Sequence, residues 1–220
     1  MTLRLTTGKK ITLIIILILL ADQAIKLWVK THMYLGESIH VFGDWCQIAF
    51  TENTGFAFGW SLGGTFGKVL LSVIRIGAVV AIGWYLNKLI KRKLPMGLLV
   101  GGAMLLAGAA GNIIDSAFYG LIFDQGTVIS PEHGMAIGYS GIAQFSTDGY
   151  APFLQGSVVD MFYMPIVDCT LPDWVPIWGG EDFVFFRPIF NLADASISVA
   201  FIYLLLFQRK NLSKLLNQKK

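Results

Sequence analysis

Hydrophobic residues are concentrated in four stretches of the chain, and the segments between them are more polar. Each stretch is close to the ~20 residues that a helix needs to cross the hydrocarbon layer of a bilayer. The stretches are residues 11–29, 66–86, 95–119 and 190–207. Hydrophobic residues make up 55% of the 220 and charged residues only 14%, which is too apolar for an ordinary soluble domain. We therefore predict one membrane-embedded, all-α domain over residues 1–220 with four transmembrane helices.

Positively charged side chains are clustered in three short tracts outside these helices. No acidic residue lies in these tracts, which contain most of the 17 Lys and Arg. The tracts are Arg4, Lys9 and Lys10; Lys88, Lys91, Arg92 and Lys93; and Arg209, Lys210, Lys214, Lys219 and Lys220. Cytoplasmic loops carry an excess of Lys and Arg, so both termini and the 87–94 loop are predicted to be cytoplasmic. Residues 30–65 and 120–189 are then extracytoplasmic. No basic stripe with interleaved aromatic residues is present, so no nucleic-acid partner is expected.

The beginning of the chain allows a second interpretation. MTLRLTTGKK followed by an apolar core is also typical of a secretory signal peptide. The helical pattern continues beyond Ala21 to Val29, however, and without this segment only three spans would remain. We keep residues 11–29 as a transmembrane helix, with the signal peptide as the alternative.

The two outer segments differ in character. Residues 30–65 contain short apolar runs and glycines, which predict a small β-sheet at the membrane surface. Their aromatic residues suit the headgroup layer: Trp45, Phe50, Phe56, Phe58 and Trp60. Residues 120–189 are rich in Gly, Pro and Ser and are predicted to be irregular. Cys46 and Cys169 are expected to be unpaired, and the three scattered histidines predict no metal site.

Polar residues inside the predicted helices are the candidates for function, because each costs free energy in a membrane unless it faces a partner or water. Asp22 and Lys26 are four residues apart on one helix face, so they can neutralise each other. Two pairs with a spacing of three and one arginine also lie in the outer halves of their helices: Asn112 with Asp115, Asn191 with Asp194, and Arg75. We expect these side chains to meet in one polar pocket. Helix packing, and capping by Asn191, would also explain them.

Aspartates that share a pocket suggest hydrolytic chemistry. Two carboxyl groups near one water molecule do not both ionise easily, so one keeps its proton while the other acts as a general base. Asp194 is one candidate, and the spacing leaves Asp115, Asp160 and Asp22 open as its partner. The alternative is a non-enzymatic transporter that relays protons. A transporter needs charges through the full depth of the membrane, whereas the inner halves of these helices lack them.

Five motifs, in order along the chain, resemble the lipoprotein signal peptidases, the signal peptidase II family. They are DQAIK at 22–26, ENTGFAF at 52–58, GNIID at 111–115, GSVVDM at 156–161 and FNLADASI at 190–197. Members of this family are four-span bacterial aspartic proteases that use no cofactor. The resemblance implies cleavage of diacylglyceryl-modified prolipoproteins just before the lipidated cysteine. It also implies the bacterial cytoplasmic membrane as location, with the active site near the outer face.

The resemblance implies roles for individual residues. Asp160 and Asp194 correspond to the catalytic pair of the family. The residues expected to position substrate or the pair are Asn53, Gly55, Asn112, Asp115 and Asn191, with Asp22 and Lys26 in support. The small sheet would form a cradle on the membrane for a lipid-anchored substrate. The enzyme is expected to act as a monomer, with membrane lipid as its other partner.

The chain departs from the family pattern in two ways. Ser116 follows GNIID where the family usually has arginine, and our hypothesis is that Arg75 supplies the missing cation. Residues 121–155 and 168–187 are insertions relative to the family. Two outcomes are expected for them: an added lid or partner surface, or functionally inert loops.

Overall fold

The computed structural model describes residues 5–55, 64–130 and 135–217. The four apolar stretches are helical, as predicted, in α1 (Thr7–His32), α2 (Gly64–Lys91), α3 (Met96–Ile114) and α5 (Leu192–Phe207). A π-helical turn, Asp115–Tyr119, and the short helix α4 (Gly120–Ile122) continue α3. A last helix, α6, covers Arg209–Asn217.

Three of the helices are long and apolar enough to cross a membrane: Thr7–His32, Phe66–Lys91 and Met96–Ile122. The fourth predicted span differs from these. Helix α5 has 16 residues, and it reaches the necessary length only together with α6, from which it is bent by 83°. Many apolar side chains on the helix surfaces are exposed, among them Leu17, Val80 and Leu206. The chain therefore has a membrane-type fold with three such helices, or four if the bent pair is one span.

Small residues on α3 allow its neighbours to approach closely. A Cβ atom on Gly108 would lie 2.4 Å from the carbonyl oxygen of Ala193 in α5, and one on Gly111 would lie 2.8 Å from Oδ2 of Asp22 in α1. Close backbone contact of this kind is how membrane helices gain packing energy. Helix α3 therefore brings the polar residues of α1 and α5 to the same place.

The small sheet predicted for residues 30–65 is present there as two paired strands, β1 (Ser38–Phe42) and β2 (Cys46–Asn53). A third strand, β5 (Val158–Tyr163), pairs with β2 to give an antiparallel sheet in the order β1-β2-β5. We call this sheet the outer sheet. Its register sets Thr51 opposite Asp160 and Asn53 opposite Val158.

The prediction of irregular structure throughout 120–189 is wrong. Besides β5, this segment contains two small hairpins, β3 (Val128–Ile129) with β4 (Ala136–Ile137) and β6 (Val167–Thr170) with β7 (Asp182–Phe185). Strands of two to six residues are too short for an alternating pattern to stand out from Gly- and Pro-rich surroundings. In β5 the first four residues are all buried, so no alternation exists there.

A hydrophobic core lies where α1, the outer sheet and the 121–155 insertion meet. Its buried members are Val29, Met33, Phe50, Tyr119, Phe123, Ala143, Val159 and Met161. Phe50 was predicted at the membrane surface, and that prediction is wrong, because its side chain is only 1% exposed within this core. Trp45 is 61% exposed, whereas Phe56, Phe58 and Trp60 lie outside the described residues. Cys46 and Cys169 are not disulfide-bonded.

Candidate active site

Helix α5 begins at a cap that fixes the position of Asp194. The side-chain oxygen of Asn191 accepts a hydrogen bond from the Asp194 backbone N–H at 2.9 Å. In return, the Asp194 carboxylate accepts one from the Asn191 backbone N–H at 3.5 Å, which completes a capping box. The predicted cap by Asn191 is therefore present, and Asp194 is held in the first turn of the helix.

The amide of Asn191 also reaches the strand that carries Asp160. Its Nδ2 donates to Oδ1 of Asp160 at 2.6 Å and to Oδ1 of Asn112 at 3.0 Å. The Nδ2 of Asn112, in α3, donates to Oδ1 of Asp194 at 2.8 Å. Two buried or half-buried amides thus connect the Asp160 and Asp194 carboxyl groups, which come from different elements.

Lys26 is the charged centre of the network. Its ammonium group lies 3.0 Å from Asp22 and 2.8 Å from Asp115, and it donates to Oδ1 of Asn112 at 2.9 Å. The Lys26 side chain is completely buried, so all three of its N–H donors are used inside the protein. The predicted pair of Asp22 with Lys26 is confirmed, and Asp115 joins it.

Asp22 and Asp115 also connect the helices to the site. Oδ1 of Asp22 accepts from the Ala193 backbone N–H at 2.9 Å, and Oδ2 of Asp115 accepts from the Val159 N–H at 3.2 Å. These two carboxylates therefore tie the beginning of α5 and the strand β5 to Lys26. Of the three partners that spacing left open for Asp194, only Asp160 makes no ion pair among the described residues.

Burial strongly changes the ionisation of Asp160, whose side chain is 4% exposed. Desolvation is the largest cause and the nearby Asp194 charge the second, and together they raise the pKa of Asp160 to about 7. Lys26 and the hydrogen bonds from Asn191 and Asn53 oppose this shift. Asp160 is therefore able to hold a proton near neutral pH.

The end of β2 and the middle of α2 complete the region. The Asn53 side chain bonds Asp160, and its oxygen accepts from the Gly55 backbone N–H at 2.8 Å. Gly55 has a φ of +88°, and a Cβ atom there would lie 3.1 Å from Leu71 and 3.7 Å from Arg75. The Arg75 guanidinium interacts electrostatically with Asp194 and, more weakly, with Asp160. All the site residues predicted from the sequence therefore lie in one region.

Among the residues that the structure describes, Ser116 makes no charged contact in this region. Its side chain is buried, and its hydroxyl donates to the carbonyl oxygen of Asn112, one turn earlier in its own helix, at 3.1 Å. Arg75 is thus the arginine whose charge interacts with Asp160 and Asp194 in the part of the chain that the structure describes.

Sequence reasoning missed two groups of residues. Gln23 donates to Oδ1 of Asp115 at 2.8 Å and accepts from the Tyr119 hydroxyl at 3.2 Å, although it stands within the DQAIK motif. A second buried ion pair, Lys30 with Glu52, lies close to the outer sheet. No spacing rule connects a helix residue to a strand residue 22 positions later, so the sequence contained no signal for this pair.

A membrane-type helical fold with linked, buried carboxyl groups is typical of a membrane-embedded enzyme that carries out acid–base chemistry with aspartates. Residues 14–209 match the family model described as signal peptidase (SPase) II. The chain belongs to the signal peptidase II family and is a signal peptidase. A transporter, the alternative considered from the sequence, is not supported.

Relatives and solved structures agree with this assignment. A lipoprotein signal peptidase of Porphyromonas gingivalis is 46% identical over 220 residues, which cover 99% of this chain and 90% of the relative. One of Amoebophilus asiaticus is 35% identical, covering 91% of this chain and 78% of the relative. A solved structure of a bacterial membrane enzyme is 21% identical in sequence and superposes with a TM-score of 0.55. The superposition covers 93% of this chain and 90% of the chain in the solved structure. At that identity the last likeness establishes the fold alone, which is that of a bacterial membrane protein.

Proposed function

We propose that this signal peptidase removes the signal peptide from diacylglyceryl-modified prolipoproteins, cutting before the lipidated cysteine, with Asp160 and Asp194 as its catalytic pair. The observation that carries the proposal is the pair of amides between the two carboxyl groups. Asn191 donates to Asp160 at 2.6 Å, and Asn112 donates to Asp194 at 2.8 Å. Both amides meet at the Asn112 oxygen, so the carboxyl groups are held in a fixed relation.

The proposed reaction uses one shared proton. Asp160 can hold it up to about neutral pH, because burial and Asp194 raise its pKa to about 7. The ionised Asp194 takes a proton from a water molecule, whose oxygen attacks the carbonyl carbon before the lipidated cysteine. Asp160 donates its proton to the carbonyl oxygen, giving a tetrahedral gem-diol. When the C–N bond breaks, Asp194 returns its proton to the leaving nitrogen, and the gem-diol gives one to Asp160 as the new carboxyl group forms.

The surrounding polar residues have supporting roles in this proposal. Asn53, Gly55, Asn112, Asp115 and Asn191 position the pair or the substrate, and Asp22 with Lys26 stabilises the helices around them. Arg75 replaces the cation that the family has at the position of Ser116. Its electrostatic interaction with both Asp194 and Asp160 supports this replacement.

The test is processing in bacterial cells in which this protein is the signal peptidase II. We expect Asp160→Asn and Asp194→Asn each to cause accumulation of lipidated, uncleaved precursor, visible as a slower band on a denaturing gel. Asp148→Asn is the matched control, because Asp148 is an exposed carboxylate in the 121–155 insertion. Normal processing by both site variants, with each protein present in the membrane at the wild-type level, would rule out the proposed pair.

The proposal also includes an orientation in the bacterial cytoplasmic membrane. As one domain over residues 1–220, the enzyme would cross four times, with α5 as the last span and α6 along the inner surface. Exposed Arg209, Lys210 and Lys214 on α6 support a cytoplasmic location for that end. The outer sheet would then form an extracytoplasmic cradle beside the site. A single chain supplies every proposed site residue, which supports action as a monomer with lipid-anchored substrate and membrane lipid as partners.

A further inference from the structure

A buried ion pair joins the outer end of α1 to strand β2, outside the proposed catalytic pair. Lys30 and Glu52 are in direct contact, and both side chains are completely buried. The ammonium group of Lys30 also donates to the carbonyl oxygen of Gln125 at 3.0 Å. Three aromatic rings surround it, with centroids 5.0, 5.2 and 5.3 Å away: Phe123, Tyr139 and Tyr150. Cation–π contacts of this length are attractive for an ammonium group.

The other side-chain hydrogen bonds of Glu52 go to the 121–155 insertion, which also contains Gln125. Its Oε2 accepts from the Thr127 backbone N–H at 2.6 Å, and its Oε1 accepts from the Tyr139 hydroxyl at 3.4 Å. Apart from the ion pair itself, the side-chain hydrogen bonds and ring contacts that these two charges make among the described residues all go to residues 121–155. The pair holds the insertion against α1 and the outer sheet.

The same pair is adjacent to the strand that carries Asp160. Glu52 lies opposite Val159 in the β2–β5 register, one position before Asp160. The residue after Glu52 is Asn53, whose side chain bonds Asp160. A shift of β2 at Glu52 would therefore move a hydrogen-bond donor of the proposed catalytic carboxyl group.

The insertion also fixes the beginning of β5. The Ser157 backbone N–H donates to the Tyr150 hydroxyl at 2.8 Å, and the Ser157 hydroxyl donates to the Thr127 carbonyl oxygen at 2.7 Å. Ser157 is buried and precedes Asp160 by three residues. The insertion thus holds β5 directly at Ser157 and indirectly through Glu52.

We infer that Lys30 and Glu52 are positioning residues for Asp160, and that the described parts of the insertion, residues 121–130 and 135–155, form a brace for strand β5 rather than a lid or an inert loop. This inference rests on the proposed catalytic role of Asp160. Neither charge contacts the catalytic pair, so each acts through the strand. Removing one partner leaves a buried charge uncompensated, and the insertion and β2 must rearrange to solvate it. Displacements of about 1 Å are enough to slow catalysis severely.

The test uses the purified full-length enzyme in lipid bicelles and a synthetic diacylglyceryl-modified peptide as substrate. We would measure kcat and KM per folded molecule from about pH 5 to about pH 9 for Lys30→Met and Glu52→Gln. We expect kcat to fall by roughly tenfold or more, while KM stays within about twofold. Because Asn53 holds the pKa of Asp160 down, a looser Asn53 contact raises that pKa. The pH above which activity is lost should therefore be higher in both variants.

Two further variants keep the inference testable if a charge variant does not fold. Ser157→Ala removes no charge, only a hydroxyl that donates to Thr127 and accepts from the Lys68 ammonium group at 3.3 Å. It should change kcat and the pH profile in the same direction, by a smaller factor. The double variant of Lys30→Met with Glu52→Gln should recover part of the activity, because no buried charge is left alone. Exposed Lys91→Met and Glu181→Gln are matched controls and should behave as wild type.

The outcomes separate this inference from the proposed function. If Asp160→Asn abolishes activity while the brace variants keep the wild-type kcat and pH profile, the brace inference alone is wrong. If the variants lose folded protein but the remaining molecules have wild-type kcat and pH dependence, Lys30 and Glu52 are merely structural, which also overturns it. If Asp160→Asn is itself active, the proposed catalytic role of Asp160 is wrong, and the brace inference that rests on it is wrong as well.

Discussion

Replacement of Asp160 by asparagine should abolish activity and at the same time stabilise the folded protein at high pH. The side chain is 4% exposed, and asparagine has nearly the same shape. Its amide oxygen can still accept the hydrogen bond that Asn191 donates at 2.6 Å. What Asp160→Asn removes is the possibility of a negative charge at this buried position.

The size of the effect follows from the two pKa values of Asp160. The folded-state pKa is about 7, raised mainly by burial and then by Asp194, whereas an unfolded aspartate has a pKa of about 3.9. Below pH ~4 both states hold the proton, so wild type and variant should be equally stable. As the pH rises toward 7, the unfolded state releases its proton first, and the wild type loses about 1.4 kcal/mol per pH unit. Above pH 7 the wild type has lost at most about 4 kcal/mol of its free energy of unfolding, and the Asp160→Asn variant does not have this loss.

Thermal unfolding in detergent micelles at several pH values would measure this difference. For a chain of this length, ~4 kcal/mol corresponds to a Tm higher by up to roughly 8 to 16 °C in the variant at pH 8. The difference should shrink steadily as the pH is lowered and should vanish near pH 4. Asp148→Asn, an exposed position, serves as the control and should follow the wild type. A constant difference at all pH values, or a less stable variant at pH 8, would refute the argument that Asp160 is destabilised by its charge.

Four further predictions concern the same network. Wild-type activity should fall as the pH rises through about 7, because Asp160 then loses its proton, and a profile that is flat to pH 9 would contradict this. Lys26→Met leaves the buried carboxylates of Asp22 and Asp115 without their cation. It should destabilise the protein by about 3 to 5 kcal/mol in the same unfolding assay. The control Lys91→Met, at an exposed position, should destabilise it by less than about 0.5 kcal/mol. Arg75→Gln should slow cleavage of a diacylglyceryl-modified peptide by roughly tenfold or more, and Arg75→Lys should slow it by less. Unchanged processing in Arg75→Gln would refute the hypothesis that Arg75 replaces the missing arginine. Asn191→Ala removes a helix cap, worth about 1 kcal/mol, and a donor to Asp160, so its Tm should fall and its pH limit of activity should rise together.

Hydropathy and helical spacing were sufficient to predict the helices and most of the polar residues that form the network around Lys26 and Asp194. Membrane spans show as long apolar runs, and a polar residue inside one must have a partner. For that reason Asn112 with Asp115, and Asn191 with Asp194, were identifiable as inward-facing. Asp160 is different, because it lies on a strand outside the spans, and only the resemblance of GSVVDM to a family motif singled it out.

The remaining features depend on contacts that no local pattern encodes. The Lys30–Glu52 pair connects a helix to a strand, and its other partners are about a hundred residues away in the insertion. The bend between α5 and α6 follows Phe207, where an apolar helix meets a basic amphipathic segment without a proline or glycine to mark the break. Phe50 was misplaced because an aromatic residue suits a membrane surface and a protein core equally well.

The cap of α5 has a consequence for how the enzyme is made. Asn191 completes its hydrogen bonds only when α3 supplies Asn112 and β5 supplies Asp160. Both proposed catalytic carboxyl groups belong to the last third of the chain, so synthesis and membrane insertion of the earlier helices produce no peptidase. The proposed site is complete only when the first turn of α5 contacts both α3 and the strand β5. If Asp160 and Asp194 are the catalytic pair, the pair is therefore assembled only after residue 194 has been synthesised and placed against α3 and β5.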